Sequence, residues 1–306
     1  MLTIFIQNLN IWGIEMKYID YERPINLKAA LEILQNNGET TKILAGGTDI
    51  LTKLRIRREL PDLLLDSKEI PELNELSYNP NSGLTVGGAV PLYKLYAHAD
   101  VKKYYQSIVD STKIIGGIPI QGRATLGGNL CNAAPSADAI PALIVLGATA
   151  SIHSLNGSRE VSINEFCTGP GSTILKNNEI VVSINIPVPK QNSGAHYMRF
   201  IPRNEMDIAV VGVGTSVKLS DDGSKFEDAQ VSLASVAPTP LHVTSITDYL
   251  SGKEINDENI EKAGELAKDA SKPISDMRGT AEYRQHLCTV LTKRSLKQSI
   301  ERAKEN

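Results

Sequence analysis

Leu44-Ala45-Gly46-Gly47-Thr48-Asp49 begins inside the short apolar run Lys42-Ile43-Leu44-Ala45, which Gly46-Gly47 bounds. Later in the chain, Thr125-Leu126-Gly127-Gly128-Asn129 follows the turn-like Gln121-Gly122-Arg123. A glycine pair at the end of a buried strand has a specific physical use. Without Cβ, the backbone can take φ > 0 and a ligand can approach its N–H groups closely. Successive bare N–H groups then form a nest for an anion, and the Thr48 or Thr125 hydroxyl can donate to a phosphate oxygen. Two such loops could hold the two phosphates of a dinucleotide from opposite sides; each alone can equally be a turn. A third element, Asn132-Ala133-Ala134-Pro135-Ser136-Ala137-Asp138, comes just after the second loop. Asp138 opens the apolar run 140–146, either as a helix N-cap or as a carboxylate accepting hydrogen bonds from sugar or ribityl hydroxyls.

Outward from these loops the chain divides into two halves. Residues 16–70 read as an opening βαββ unit: Leu27, Ala30, Leu31 and Leu34 share one helical face, with Asn26 as N-cap and Gly38 as stop. In residues 71–190, strands are expected near 84–86, 149–152 and 179–186, and helices at 92–98, 102–112 and 139–146. Pro187-Val188-Pro189-Lys190-Gln191-Asn192-Ser193-Gly194 is the best linker in the chain. Beyond it, strands at 207–219 and 230–236 flank the turn Asp221-Asp222-Gly223. Residues 257–304 read as helix, with Tyr283, Leu287, Val290 and Leu291 as its apolar stripe. Gly212-Val213-Gly214 lies inside a strand-like run and lacks the third glycine of a dinucleotide fingerprint, so it marks a close backbone contact. The fold class is therefore α+β in two lobes, 16–190 (subdomains about 16–70 and 71–190) and 195–304. Residues 1–15 are expected to be a disordered extension, or translation starts at Met16.

Composition excludes several functions. The 306 residues carry 32 Lys and Arg against 35 Asp and Glu, a net charge of -3, which leaves no electrostatic footprint for nucleic acid. From residue 253 onward, eleven basic and ten acidic side chains alternate, a solvated helical face. No apolar run reaches the ~20 residues of a membrane span, and the apolar start Met1-Leu2-Thr3-Ile4-Phe5-Ile6 lacks a basic flank. A cytoplasmic protein is expected. No hydrolase elbow, P-loop or zinc motif occurs, and Cys131, Cys167 and Cys288 are too widely spaced for a metal or iron–sulfur site. No catalytic acid or base stands out.

In order, the two glycine loops, Asn132, Pro135, Asp138 and Arg203-Asn204-Glu205-Met206-Asp207-Ile208-Ala209 resemble the FAD-binding subunit of the molybdenum hydroxylases. This is the family of xanthine dehydrogenase, carbon monoxide dehydrogenase and nicotinate dehydrogenase, and the similarity runs from about residue 16 to 304. The resemblance implies a two-lobed FAD-binding fold of the vanillyl-alcohol oxidase type, followed by a smaller C-terminal α+β domain. It implies that Leu44, Ala45, Gly46, Gly47, Thr48, Asp49, Ile50 and Leu51 wrap one side of the pyrophosphate. Thr125, Leu126, Gly127, Gly128 and Asn129 would wrap the other, with Asn132 close by, and Asp138 would take ribityl or ribose hydroxyls.

Ile115 and Gly116 match a segment beside the flavin ring. Val181 matches an aliphatic residue packed on that ring and can also be a core strand residue. Arg199 stands where the family usually has Lys near the flavin N1/O2 edge, unless it is an exposed surface arginine. The resemblance further implies a large molybdopterin-binding partner subunit and a small partner with two [2Fe-2S] clusters. Electrons would pass from those clusters through FAD to NAD or another acceptor. With three cysteines, the 4-hydroxybenzoyl-CoA reductase branch, which adds a [4Fe-4S] cluster to this subunit, is not expected. Rival readings are a flavin-free scaffolding subunit and a stand-alone flavin oxidase.

Overall fold

The first lobe begins with a small parallel sheet. The computed structural model describes residues 17–306, so the expected extension 1–15 and the alternative start at Met16 lie outside the described residues. Strands β1 (Asp20–Glu22), β2 (Thr41–Leu44) and β3 (Leu63–Asp66) pair in the order β1-β3-β2. Helix α1 (Leu27–Asn37) crosses from β1 to β2. Asn26 Oδ1 caps it by accepting from the Ala29 N–H at 2.9 Å, it ends at Gly38, and it buries Ala30, Leu31 and Leu34. Helix α2 (Ile50–Arg55), absent from the sequence expectation, links β2 to β3.

The second subdomain is a five-stranded antiparallel sheet, β4-β5-β10-β6-β7, made of β4 (Leu76–Asn79), β5 (Gly83–Gly87), β6 (Thr149–Ser154), β7 (Gly157–Ser162) and β10 (Ile180–Ile186). Helices α3 (Leu92–Ala97), α4 (Ala99–Tyr104), α5 (Gln106–Thr112), α6 (Ile118–Gln121), α7 (Leu126–Asn132) and α8 (Ala139–Val145) lie between β5 and β6. Helix α9 (Ile163–Phe166) and the two-stranded β8 (Cys167–Gly169) and β9 (Ser172–Thr173) precede β10. β10 is buried on both faces, because Ile180 and Val182 pack with α1 while Val181 and Ile184 join the larger core. That two-sided burial is why it reads as a continuous apolar run. The single helix expected over 102–112 breaks at Tyr105 (φ −130°, ψ 51°), whose buried ring turns its hydroxyl to donate to Pro187 O at 3.1 Å.

The second lobe is an antiparallel sheet, β11 (Ser193–Phe200), β12 (Val211–Leu219), β13 (Phe226–Ala234) and β14 (Leu241–His242), followed by α10 (Thr244–Leu250), α11 (Asp257–Ala270) and α12 (Ala281–Glu305). The β12–β13 turn has Gly223 at φ +69°, as the Asp-Asp-Gly signal requires. Residues 207–210 are loop rather than strand. The helical region 257–304 is interrupted between α11 and α12, where Lys272-Pro273 ends any helix.

The buried face of α12 differs from the expected stripe. Leu287 and Leu291 are buried, but Tyr283 is exposed, and the face continues through Ser295, Ser299 and Ala303. Thr215 Oγ1 lies 2.7 Å from both Ser295 Oγ and Ser299 Oγ. A Cβ on Gly194 would stand 2.3 Å from Ser299 O, so helix and sheet meet closely through small residues. The lobes are joined by Arg302, which donates to Asp110 Oδ2 at 2.6 Å and to Ala195 O at 2.7 Å, and by α8 packed on β12. A Cβ on Gly214 would come within 2.8 Å of the Pro141 backbone, and one on Gly212 within 2.4 Å of Tyr197 Oη. These are the close contacts that the glycine-bearing strand foretold.

Candidate functional site

A cleft of about 730 Å³ runs between the two subdomains of the first lobe and reaches the edge of the second. Its floor is made by the two glycine loops, which are in direct backbone contact. A Cβ on Gly46 would stand 2.3 Å from Arg123 O, and one on Gly127 2.5 Å from Gly88 O. Gly46 packs the first loop on the approach to the second, and Gly127 packs the second loop on Gly88 just after β5. Gly47 and Gly128 are different. Gly47 has φ +82°, and among the described residues a Cβ on Gly128 would meet only Thr125 Oγ1, at 2.9 Å. Both line the cleft with bare backbone.

Local hydrogen bonds set the shape of each loop. Leu51 N–H donates to Gly47 O at 3.1 Å and Lys53 N–H to Asp49 O at 3.0 Å, which winds the first loop into α2. Thr125 is the N-cap of α7: its Oγ1 accepts from Gly128 N–H at 2.9 Å, which leaves the hydroxyl proton free to donate outward. Asn132 Nδ2 donates across to Asp49 Oδ1 at 3.4 Å, tying one loop to the other. Asn129 lines the cleft, and its Oδ1 is buried with no partner among the described residues. A buried carbonyl oxygen without a donor costs about 1–3 kcal/mol; a ligand donor in the cleft would satisfy it.

Asp138 forms the end of the cleft nearest the second lobe. It sits at the N-cap position of α8 but makes no capping bond. Its carboxylate accepts instead from Tyr197 Oη at 2.8 Å and from Arg199 Nη1 at 2.5 Å. Burial pushes the Asp138 carboxyl up to about 6, against the opposing pull of Arg199 and Tyr197. Burial also raises the Tyr197 phenol well above its usual value, so it remains the donor. Arg199 is neither at the cleft surface nor an exposed arginine. Its side chain is 7% exposed, and Nη2 donates to Ile114 O at 2.7 Å. It stands one layer behind the cleft, gripping Asp138 and the residue before Ile115.

Of the residues singled out in the sequence, Ala45, Gly46, Gly47, Thr48, Asp49, Ile50, Ile115, Thr125, Gly127, Gly128, Asn129, Asn132, Asp138 and Val181 line this cleft. Leu44, Leu51, Gly116, Leu126 and Arg199 do not. Leu44 and Leu126 are buried in the core, Leu51 is half exposed, and Gly116 makes a φ +58° turn against Ile120. Val181 both lines the cleft and belongs to the core. Lys42, Lys53, Ser67 and Lys176 also line it and were missed, and Ile208, from the 203–209 segment that carried the resemblance, lines it without having been assigned to the site. Gly88 lines it too. Among the described residues no group of His, Cys, Asp and Glu could hold a metal ion, and no helix is long and apolar enough to cross a membrane.

Residues 15–189 match the family described as FAD binding domain in molybdopterin dehydrogenase, and residues 196–299 match the CO dehydrogenase flavoprotein C-terminal domain. The chain belongs to this flavoprotein family. It is an FAD-binding subunit of the molybdenum hydroxylase type, an oxidoreductase component. The xanthine dehydrogenase FAD-binding subunit of Escherichia coli O157:H7 is 29% identical over 284 residues, 92% of this chain and 96% of that one. The carbon monoxide dehydrogenase medium chain of Hydrogenophaga pseudoflava is 27% identical over 277 residues, 90% of this chain and 95% of that one. Among solved structures, carbon monoxide dehydrogenase from Hydrogenophaga pseudoflava superposes with a TM-score of 0.89 at 26% identity, covering 93% of this chain and 98% of that one. Quinoline 2-oxidoreductase from Pseudomonas putida 86 gives 0.87 at 26% identity, covering 95% and 99%. The α+β architecture of this flavoprotein is thus that of the carbon monoxide dehydrogenase medium chain.

Proposed function

We propose that this subunit binds one FAD non-covalently in the cleft and relays electrons. They would arrive from the [2Fe-2S] clusters of a small partner subunit and leave to NAD or another acceptor. A large molybdopterin-binding partner would carry out the substrate hydroxylation, and the complex would work in the cytoplasm. The observation that carries this reading is the floor of the cleft. Two glycine loops meet backbone to backbone, expose side-chain-free backbone at Gly47 and Gly128, and leave the buried Asn129 side-chain carbonyl without a partner among the described residues. Such a cradle suits a diphosphate with polar groups on both sides.

Bound FAD would supply the redox chemistry; this chain would supply binding, orientation and electrostatics. Thr48 and Thr125 would donate to phosphate oxygens. Asp138, held by Tyr197 and Arg199, would accept from ribityl or ribose hydroxyls. Val181 and Ile115 would pack on the ring. Lys42 and Lys176, which line the cleft near Glu59 and Glu179, would add positive charge near the phosphates. Two domains bounded at about residue 190, 16–190 and 195–304, would then divide the work into cofactor grip and closure of the ring end.

The purified chain is expected to be yellow, and acid precipitation is expected to release all the flavin into the supernatant. Tagged chain is expected to capture one large and one small partner subunit. A colourless chain that still captures both partners would make it a flavin-free scaffold. Flavin with neither partner would make it a stand-alone oxidase, and colour left in the acid pellet would mean a covalent link.

A further inference from the structure

The segment between β11 and β12 reaches from the second lobe back over the first. Ile208 lines the cleft, and Met206 lies over Gly117: its Cγ and Sδ are 3.4 Å from where a Cβ on Gly117 would stand. Gly117 follows the φ +58° turn at Gly116 and lies two residues beyond Ile115, itself in the cleft wall. Met206 has φ +54°, a conformation disfavoured for an unbranched apolar side chain, yet it is 55% exposed. Strained backbone persists only where surrounding contacts hold it. Here those contacts are few and lie near the surface. The Arg203 guanidinium donates to Met206 O, and Asp207 pairs with Arg203 at 3.6 Å and with Arg278 at 3.9 Å. Arg203 is 67% exposed, and solvent-exposed pairs contribute little.

We propose that residues 203–208 are a latch, with Met206 as its bolt on Gly117, and that its opening admits solvent and small electron acceptors to the ring end of the cleft. This rests on the FAD reading above, which puts the ring beside Ile115. A strained loop held by the exposed Arg203, one part-buried pair between Asp207 and Arg278 and one apolar contact opens at a low free-energy cost. Removing the contact therefore shifts the latch toward open.

The test uses the full chain and two variants. Met206→Ala keeps the strained left-handed backbone but loses the apolar contact. Met206→Leu keeps both. Iodide quenching of flavin fluorescence and the rate of tryptic cutting after Arg203 are expected to rise about tenfold in Met206→Ala, the size of one lost contact of 1.4 kcal/mol. Met206→Leu is expected to stay within about twofold of wild type, a free-energy change of less than half that size. Tryptic cutting reads the latch without flavin, so a chain that binds no FAD overturns the FAD reading and leaves this measurement decisive. Wild-type cutting and quenching in Met206→Ala would overturn the latch.

Discussion

Gly128→Val is expected to purify folded, its melting transition lowered only by the loss of the Thr125 cap, about 1 kcal/mol, and without FAD. Space decides this. Among the described residues, a Cβ at residue 128 would meet only the Thr125 hydroxyl, at 2.9 Å, and that hydroxyl can turn away at the cost of its bond to the Gly128 N–H. The added methyl groups then project into the cleft, where the backbone N–H groups of the second loop would meet the diphosphate. Losing two charge-assisted hydrogen bonds of ~1.5–3 kcal/mol each weakens binding by about two to four orders of magnitude.

Gly46→Ala is expected to behave differently although it lies in the same cradle. Its Cβ would stand 2.3 Å from Arg123 O and 2.8 Å from Ala124 Cα, with no flexible atom to move aside. The loops must separate, an overpacking cost of about 1–3 kcal/mol that lowers the melting temperature along with FAD content. The flavin-to-protein ratio and a thermal melt on both variants separate the two roles. Full flavin in Gly128→Val would take the phosphates away from this loop.

What the sequence made legible was local. The α1 stripe, the Asn26 cap, the Asp221-Asp222-Gly223 turn and the continuous run of β10 each depend on residues within a few positions of one another. The glycine loops could be read for the same reason. The remainder depends on contacts between distant segments, which leave no period in the chain. Gly46 faces Arg123, and Gly127 faces Gly88, so half of the site glycines serve packing rather than ligand access. Ile208 and Lys176 join the cleft from elements far from either loop. The serine-lined face of α12 carries little hydrophobic signal because its close approach to β11 and β12 is made through hydroxyls and glycine. Arg199 is the clearest case. Its position matched a residue at the ring edge, but the fold turns its guanidinium onto a buried carboxylate.

That turn changes what Arg199→Met is expected to do. The substitution leaves Asp138 buried with only the Tyr197 hydroxyl as partner. Removing one member of a buried pair costs about 3–5 kcal/mol. The loss depends on pH. In the wild-type fold the Asp138 carboxyl is already raised to about 6, so its contribution to stability is full below its unfolded value near 4 and is lost as pH rises through about 6. Arg199 pulls that value down; without it the carboxyl rises further and holds its proton at higher pH. Arg199→Met is therefore expected to melt close to wild type near pH 4–5 and well below it near pH 8, by roughly the 3–5 kcal/mol of a broken buried pair. Adding Asp138→Asn should remove most of that pH dependence, because no buried carboxylate remains to ionise. The flavin potential supplies the second readout. A guanidinium bonded directly to the reduced ring would be worth ~1.5–3 kcal/mol, roughly 30–65 mV for a two-electron couple. Arg199 stands behind Asp138 with its charge neutralised there, so the midpoint is expected to fall by less than this range. A full drop with an unchanged melting curve would mean that the guanidinium leaves Asp138 for the ring when FAD binds.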